Sequence, residues 1–186
     1  MEADLDGLDD EGLARHMERV GKCFDEMASK TNGVLTYYYR IDQDLQHRLE
    51  EEKGQMAFAV GVFDCDNLKT INDKYGHEKG DIYLKTASRL ICRVFQHSPV
   101  FRIGGDEFAV ILKNDDFQRR DELVRQFEEE SAIIDAENET EWKQVQVAMG
   151  IAVYDPRTDI YVIDTVKRAD QSMYANKQER KKAAGL

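Results

Sequence analysis

Cysteine is scarce here and poorly placed for either of its usual structural roles. Cys23, Cys65 and Cys92 are the only three in 186 residues. No pair has metal-site spacing, and an odd number argues against a disulfide framework. That usage fits a reducing compartment, so a cytoplasmic protein is expected. Long apolar runs are missing too. The longest, Ala57 to Phe63, is far too short to span a bilayer, and no signal peptide opens the chain. No membrane insertion is expected. Positive charge is in short supply, with 26 Lys and Arg against 37 Asp and Glu and a formal net charge of -11. Such a chain repels nucleic-acid backbones unless it carries a basic patch, and none stands out before the last few residues. Nucleic acid is therefore not an expected partner. An acidic protein still binds a small phosphorylated ligand when a divalent cation sits between its carboxylates and the phosphates. Repeats and low-complexity tracts are absent, and a hydrophobic fraction of 41% is ordinary for one folded domain.

What is present reads as alternating helices and strands. Leu13, Met17, Val20, Phe24 and Met27 step by four, three, four and three, the spacing of a narrow apolar seam over residues 1–30. That helix either packs on its own domain or ends a dimerising signalling stalk. Thr31-Asn32-Gly33 breaks it, and Tyr39 to Glu52 reads as a second helix with Ile41, Leu45 and Leu49 on one face. Ala57 to Phe63 has the length and composition of a central strand buried on both faces. A short helix near Lys69 to Lys74 follows, then a longer one in which Leu84, Ala87, Ile91 and Val94 share a face. Val100 to Ile103 and Phe108 to Lys113 read as strands joined across Gly104-Gly105, a dipeptide that accepts the positive φ of a tight hairpin. A charged helix is predicted from Phe117 to Ala136, a strand from Lys143 to Tyr154, and a final helix carrying Val162, Val166, Ala169 and Met173. The class is α+β or α/β, with a mixed sheet.

Acidic residues collect at strand ends. Asp64-Cys65-Asp66 follows the central strand and Asp106-Glu107 follows the Gly-Gly turn. If the hairpin pairs beside the central strand, these carboxylates converge. They repel one another unless a hard cation sits between them, and Mg²⁺ held by a few carboxylates plus phosphate oxygens is a common solution. Taken singly, an Asp-x-Asp loop is usually a solvated turn and a Gly-Gly hairpin only a turn. The combination is what points to a site.

The segment Arg102-Ile103-Gly104-Gly105-Asp106-Glu107-Phe108 contains the signature of the GGDEF domains, which this sequence resembles. Phe63 to Asp81, with Asp64-Cys65-Asp66-Asn67-Leu68-Lys69 and Gly76-His77-Glu78-Lys79-Gly80-Asp81, is similar to that family's second long motif. Arg168-Ala169-Asp170-Gln171-Ser172-Met173-Tyr174-Ala175-Asn176-Lys177 is similar to its C-terminal helix. The resemblance implies an α+β sandwich, the palm-like, ferredoxin-like arrangement of nucleotidyl cyclases, with a mostly antiparallel sheet and flanking helices. It places the GGDEF domain at residues 31–182. It implies a diguanylate cyclase that condenses two GTP molecules into the bacterial second messenger cyclic di-GMP, acting as a homodimer that need only form transiently. A sensor domain would precede the domain in a longer chain.

The roles implied fall on particular residues. Asp64, Asp106 and the Cys65 carbonyl match the family's ligands for Mg²⁺ or Mn²⁺, and Glu107 a second metal ligand or the group that helps deprotonate the attacking hydroxyl. Asn72 and Asp81 match positions that read the guanine edge, which an amide and a carboxylate suit. Asp81 also reads as a cap for a helix starting after Gly80. Lys69, counted with Asp106 and Glu107 among the catalytic residues, and Lys177 match positions that balance triphosphate charge. Gly104 and Gly105 let backbone approach the nucleotide. Three departures stand out. Ser29 to Thr36 lacks the Asp and Asn usual before the first strand. Phe95 and Ser98 replace the Arg-x-x-Asp of the product-inhibition site. Arg180-Lys181 replaces a Gly-Arg, leaving Lys181 as a phosphate-binding cation. The competing reading is a catalytically silent domain that binds GTP or cyclic di-GMP and regulates a partner.

Overall fold

A computed structural model describes residues 57–160 and 162–183. The helices read at residues 1–30 and 39–52, and the altered stretch at 29–36, lie outside the described residues.

Strand β1 (Ala59–Cys65) is the axis of the domain. It pairs with β3 (Glu107–Leu112) on one side and β4 (Val147–Val153) on the other, and β2 (Val100–Arg102) extends the sheet beyond β3, giving the order β2-β3-β1-β4. Every pairing among these described strands is antiparallel. An internal strand of a sheet covered on both faces has no wet side, which is why its sequence reads as a continuous apolar run.

Alternation along β1 divides the core. Ala59, Phe63 and Cys65 face a layer made by α1 (Leu68–Tyr75), α2 (His77–Val94) and α4 (Arg120–Glu137). Phe63 meets Phe95 and Phe127 edge-on there, with ring centroids 5.5 and 5.4 Å apart. Val60 and Val62 face the opposite way, toward Val166, Ala169 and Met173 of α5 (Val162–Ala183). Each valine, phenylalanine or methionine among them contributes about 1.5–3 kcal/mol when fully buried. Close approach of α5 to the sheet depends on Gly150, because a Cβ there would run into the backbone of Ala169 and Met173.

Three local departures from the sequence reading have physical causes. The single helix expected from Phe117 is two, α3 (Asn114–Gln118) and α4, divided at Arg119. Ser98 donates to the buried Asp116 carboxylate at 2.7 Å, fixing α3 to the turn before β2. The strand expected from Lys143 begins at Val147. Upstream of it, Val145 N–H donates to Asp135 at 2.6 Å and Val145 C=O accepts from Ser131 at 2.7 Å, so its backbone is committed to α4 instead of a neighbouring strand. Finally, neither glycine of the hairpin turn adopts a left-handed φ; Gly76, ahead of α2, is the positive-φ glycine among the described residues.

Candidate active site

The antiparallel register of β1 and β3 sets Asp64 directly opposite Glu107. Directly paired residues have Cβ atoms about 5 Å apart. The turn is tied down at the same point: Cys65 N–H donates to the Asp106 carbonyl at 2.9 Å, and Ile103 N–H to the Glu107 carbonyl at 2.9 Å. Arg102 braces it from outside through the carbonyls of Gly104 and Gly105. Asp64, Asp106 and Glu107 therefore meet at one end of the sheet, as the two-cluster reading required.

The chain leaves β1 through Asn67, whose φ of 65 is a left-handed value that Asn tolerates better than most residues. That turn keeps Asp66 beside Asp64. Asp66 N–H donates to the Gln146 carbonyl at 2.7 Å. The Tyr83 hydroxyl lies between the Asp66 and Gln146 carbonyls at 2.7 and 2.8 Å. Burial foremost, together with nearby acidic groups, raises the Tyr83 pKa, so the hydroxyl stays a donor.

From α5, Lys177 Nζ reaches Asp64 at 2.6 Å and Asp66 at 3.6 Å, and Arg180 reaches Asp66 at 3.6 Å. Burial works against the Lys177 charge, but the bond to Asp64 and the charge of Asp66 carry its pKa above the ordinary value. Burial lifts Asp66 above the usual carboxylate range by more than the two cations pull it down. Glu107 is likewise raised, by burial first and then by Asp106, Asp64 and Asp170. Gly104 is required for where Glu107 rests: a Cβ there would stand 2.6 Å from its Oε2.

The remaining residues form a second group on α1 and α2. Asn72 is half-buried and its side chain lies over Gly80, a position that any Cβ would contest. Asp81 is exposed. Since α2 begins at His77, Asp81 lies inside the helix and does not cap it. Lys69 on α1 and Lys181 on α5 are exposed, and neither their side chains nor that of Asp81 makes a hydrogen bond or ion pair among the described residues. Gly105 is exposed at the tip of the turn. Sequence reasoning singled out Asp66 as part of an acidic cluster but gave it no role. It named Asp170 within the C-terminal motif without a role and left Tyr83 out, although the Asp-x-Asp spacing was a usable signal for Asp66.

Oxygen donors suit a hard divalent cation. Asp66 Oδ1 is buried with no hydrogen-bond donor closer than the Lys177 ammonium at 3.6 Å, which leaves it acceptor capacity for a cation. Among the described residues no three acidic, histidine or cysteine side chains gather closely enough to enclose an ion alone. A cation held here takes few protein ligands and completes its shell from other oxygens, the habit of Mg²⁺.

Residues 38–183 match the family described as diguanylate cyclase, GGDEF domain. Diguanylate cyclase DgcZ of Escherichia coli is 29% identical over 142 residues, covering 74% of this chain and 46% of that protein. The chain thus spans less than half the length of that relative. The active GGEEF domain of a diguanylate cyclase from Vibrio cholerae superposes with a TM-score of 0.61 at 24% identity, over 76% of this chain and 88% of that one. The coiled coil and GGDEF domain of DgcB from Caulobacter crescentus gives 0.63 at 22% identity, over 91% and 88%. These last two likenesses concern the fold. With the motif, the sheet and the meeting of its acidic strand ends in agreement, this chain belongs to the GGDEF domain family.

Proposed function

We propose that this domain is a diguanylate cyclase, condensing two GTP molecules into cyclic di-GMP with release of pyrophosphate. The observation that carries the reading is the register that sets Asp64 against Glu107, with the Asp106 carbonyl bonded to Cys65 and Lys177 on Asp64. Asp64, Asp106 and the Cys65 carbonyl would hold Mg²⁺ or Mn²⁺, with Glu107 beside them. When bound, such a cation lowers the pKa of a ribose 3′-hydroxyl and neutralises charge on the α-phosphate. Glu107, beside the cation, would be the carboxylate placed to accept the hydroxyl proton. Lys177, Lys69 and Lys181 are the cations proposed to meet the triphosphate, and the side-chain-free Gly104-Gly105 turn leaves it room. Asn72 and Asp81, on neighbouring helices, present an amide and a carboxylate to the guanine edge.

The cyclase domain is taken as residues 31–182, and its substrate places it in the cytoplasm. Among the described residues no helix is long and apolar enough to cross a membrane. Joining two nucleotides requires two such sites face to face, so the active species is a homodimer, formed at least transiently.

The test is incubation with GTP and Mg²⁺ or Mn²⁺ over a range of protein concentrations, with Asp106→Ala as control and products separated chromatographically. Cyclic di-GMP from wild type but not from Asp106→Ala is expected. Binding of GTP without any dinucleotide product, at every concentration, overturns the enzyme reading in favour of a silent nucleotide-binding domain.

A further inference from the structure

Asp64 is already neutralised by the protein itself. Its ion-pair partner among the described residues is Lys177, 2.6 Å away, and the same ammonium lies 3.6 Å from Asp66 Oδ1. The pair is sheltered, with side-chain exposures of 22% for Lys177 and 14% for Asp64. Its base is rigid. Helix α5 lies tight against β4 at Gly150, and the neighbouring Asn176 side chain accepts from Met149 N–H at 3.2 Å. Its tip is not: the ammonium is a point charge on a flexible stem. A small divalent ion bound to an oxygen stands about 2.1 Å from it. It would therefore compete with the ammonium for the same carboxylate.

We propose that Lys177 is a built-in counter-cation. In the nucleotide-free domain it holds Asp64, and it releases Asp64 when a divalent ion arrives, turning to the phosphates that come with the ion. The proposal rests on the reading of Asp64 as a metal ligand. It gives the empty site a reason to be stable, since Asp64, Asp66, Asp106 and Glu107 otherwise crowd one strand end with like charge. Metal alone must bind weakly, because each binding event breaks the sheltered 2.6 Å pair and leaves the ammonium only its longer contact to Asp66. Nucleotide phosphates supply a new acceptor. Metal and nucleotide therefore bind with positive coupling, and linkage makes that coupling reciprocal.

The experiment is Mn²⁺ titration without nucleotide, read by electron paramagnetic resonance, on wild type, Lys177→Met, Lys177→Arg, Lys182→Gln and Asp64→Asn. Lys177→Met should bind Mn²⁺ on the order of tenfold more tightly than wild type. Lys177→Arg keeps the pair, and Lys182→Gln removes one exposed charge from the same helix; both should stay within about twofold of wild type. If Asp64→Asn leaves Mn²⁺ binding intact, the metal assignment falls and the counter-cation role with it. If Asp64→Asn abolishes binding while Lys177→Met binds no more tightly than wild type, the assignment stands and the counter-cation role is overturned. Wild type offers a readout that needs no variant: the Lys177 side-chain Cε and Hε resonances should shift as Mg²⁺ saturates the site and return with EDTA. Resonances that stay in place at saturation overturn the proposal.

Discussion

At the first residue of β3, burial and the adjacent Asp106 and Asp64 leave Glu107 harder to ionise than a free glutamate. The folded domain thus holds that proton more tightly than the unfolded chain does. The cost of ionising it is absent below the ordinary 4.5 and grows as pH rises through the higher folded value. Glu107→Gln in EDTA should therefore melt above wild type at neutral pH, with the difference closing as pH falls below 4.5, measured by calorimetry. On the proposed mechanism the same substitution removes the proton acceptor, and cyclase activity should fall by roughly 100-fold or more. Stability gained where activity is lost is the pattern of a strained active-site residue. Gly104 separates the two effects differently. The nearest atoms a methyl group there would meet all belong to the Glu107 side chain, whose carboxylate end can swing aside. Gly104→Ala should leave the melting temperature nearly unchanged while lowering kcat about tenfold by displacing Glu107 from its resting place.

Helix α5 delivers Lys177 to the site, and a buried carboxylate anchors its start. Asp159 accepts from Thr165 at 2.8 Å and from Asp155 N–H at 3.1 Å, and it pairs with Arg168, which also donates to the Val153 carbonyl at 2.7 Å. Burial pushes its carboxyl up, yet Arg168, the loop backbone and Thr165 together hold it below the ordinary 3.8. A depressed folded pKa contributes stability that is complete well above 3.8 and is lost as pH falls through the folded value. Asp159→Asn should cost about 1–3 kcal/mol at pH 7 in urea denaturation, with the deficit shrinking in acid. None of this clamp was legible in the sequence, because the polar loop carries no period. What was legible followed from periodicity. The all-apolar run of β1 announced a central strand, and acids behind two strand ends announced where they would meet. What was not legible lay in partners distant along the chain. Val145 has strand-like neighbours, but Ser131 and Asp135 take its backbone. Lys177 is separated from Asp64 by 113 positions, and no spacing rule links them.

For the molecule as a whole, control and assembly both follow from what faces outward. Phe95 is fully buried against Phe63, and Ser98 is buried and bonded to Asp116. Neither offers a nucleotide a charged or exposed group where many relatives carry Arg-x-x-Asp. Added cyclic di-GMP should therefore inhibit only by competing with GTP. A non-competitive second site that is lost on Phe95→Ala or Ser98→Ala would contradict this. Assembly is limited by charge. In the proposed reaction the acidic strand ends of one domain supply a single site, whereas the product has two phosphodiester bonds joining two nucleotides, so each turnover would need two domains facing each other. Both carry a formal charge of -11, and their acid-rich ends must approach. Like-charged partners associate slowly and weakly unless cations lie between them. On that mechanism, bound metal and nucleotide would supply part of that neutralisation and also add phosphate charge, leaving the encounter as the limiting step at low protein concentration. Activity per domain should then climb in proportion to concentration and level off only when most domains are paired. A dilution series of initial rates, with sedimentation velocity at the same concentrations, measures both. Activity per domain that stays constant down to concentrations where only monomer sediments would rule out the two-domain mechanism.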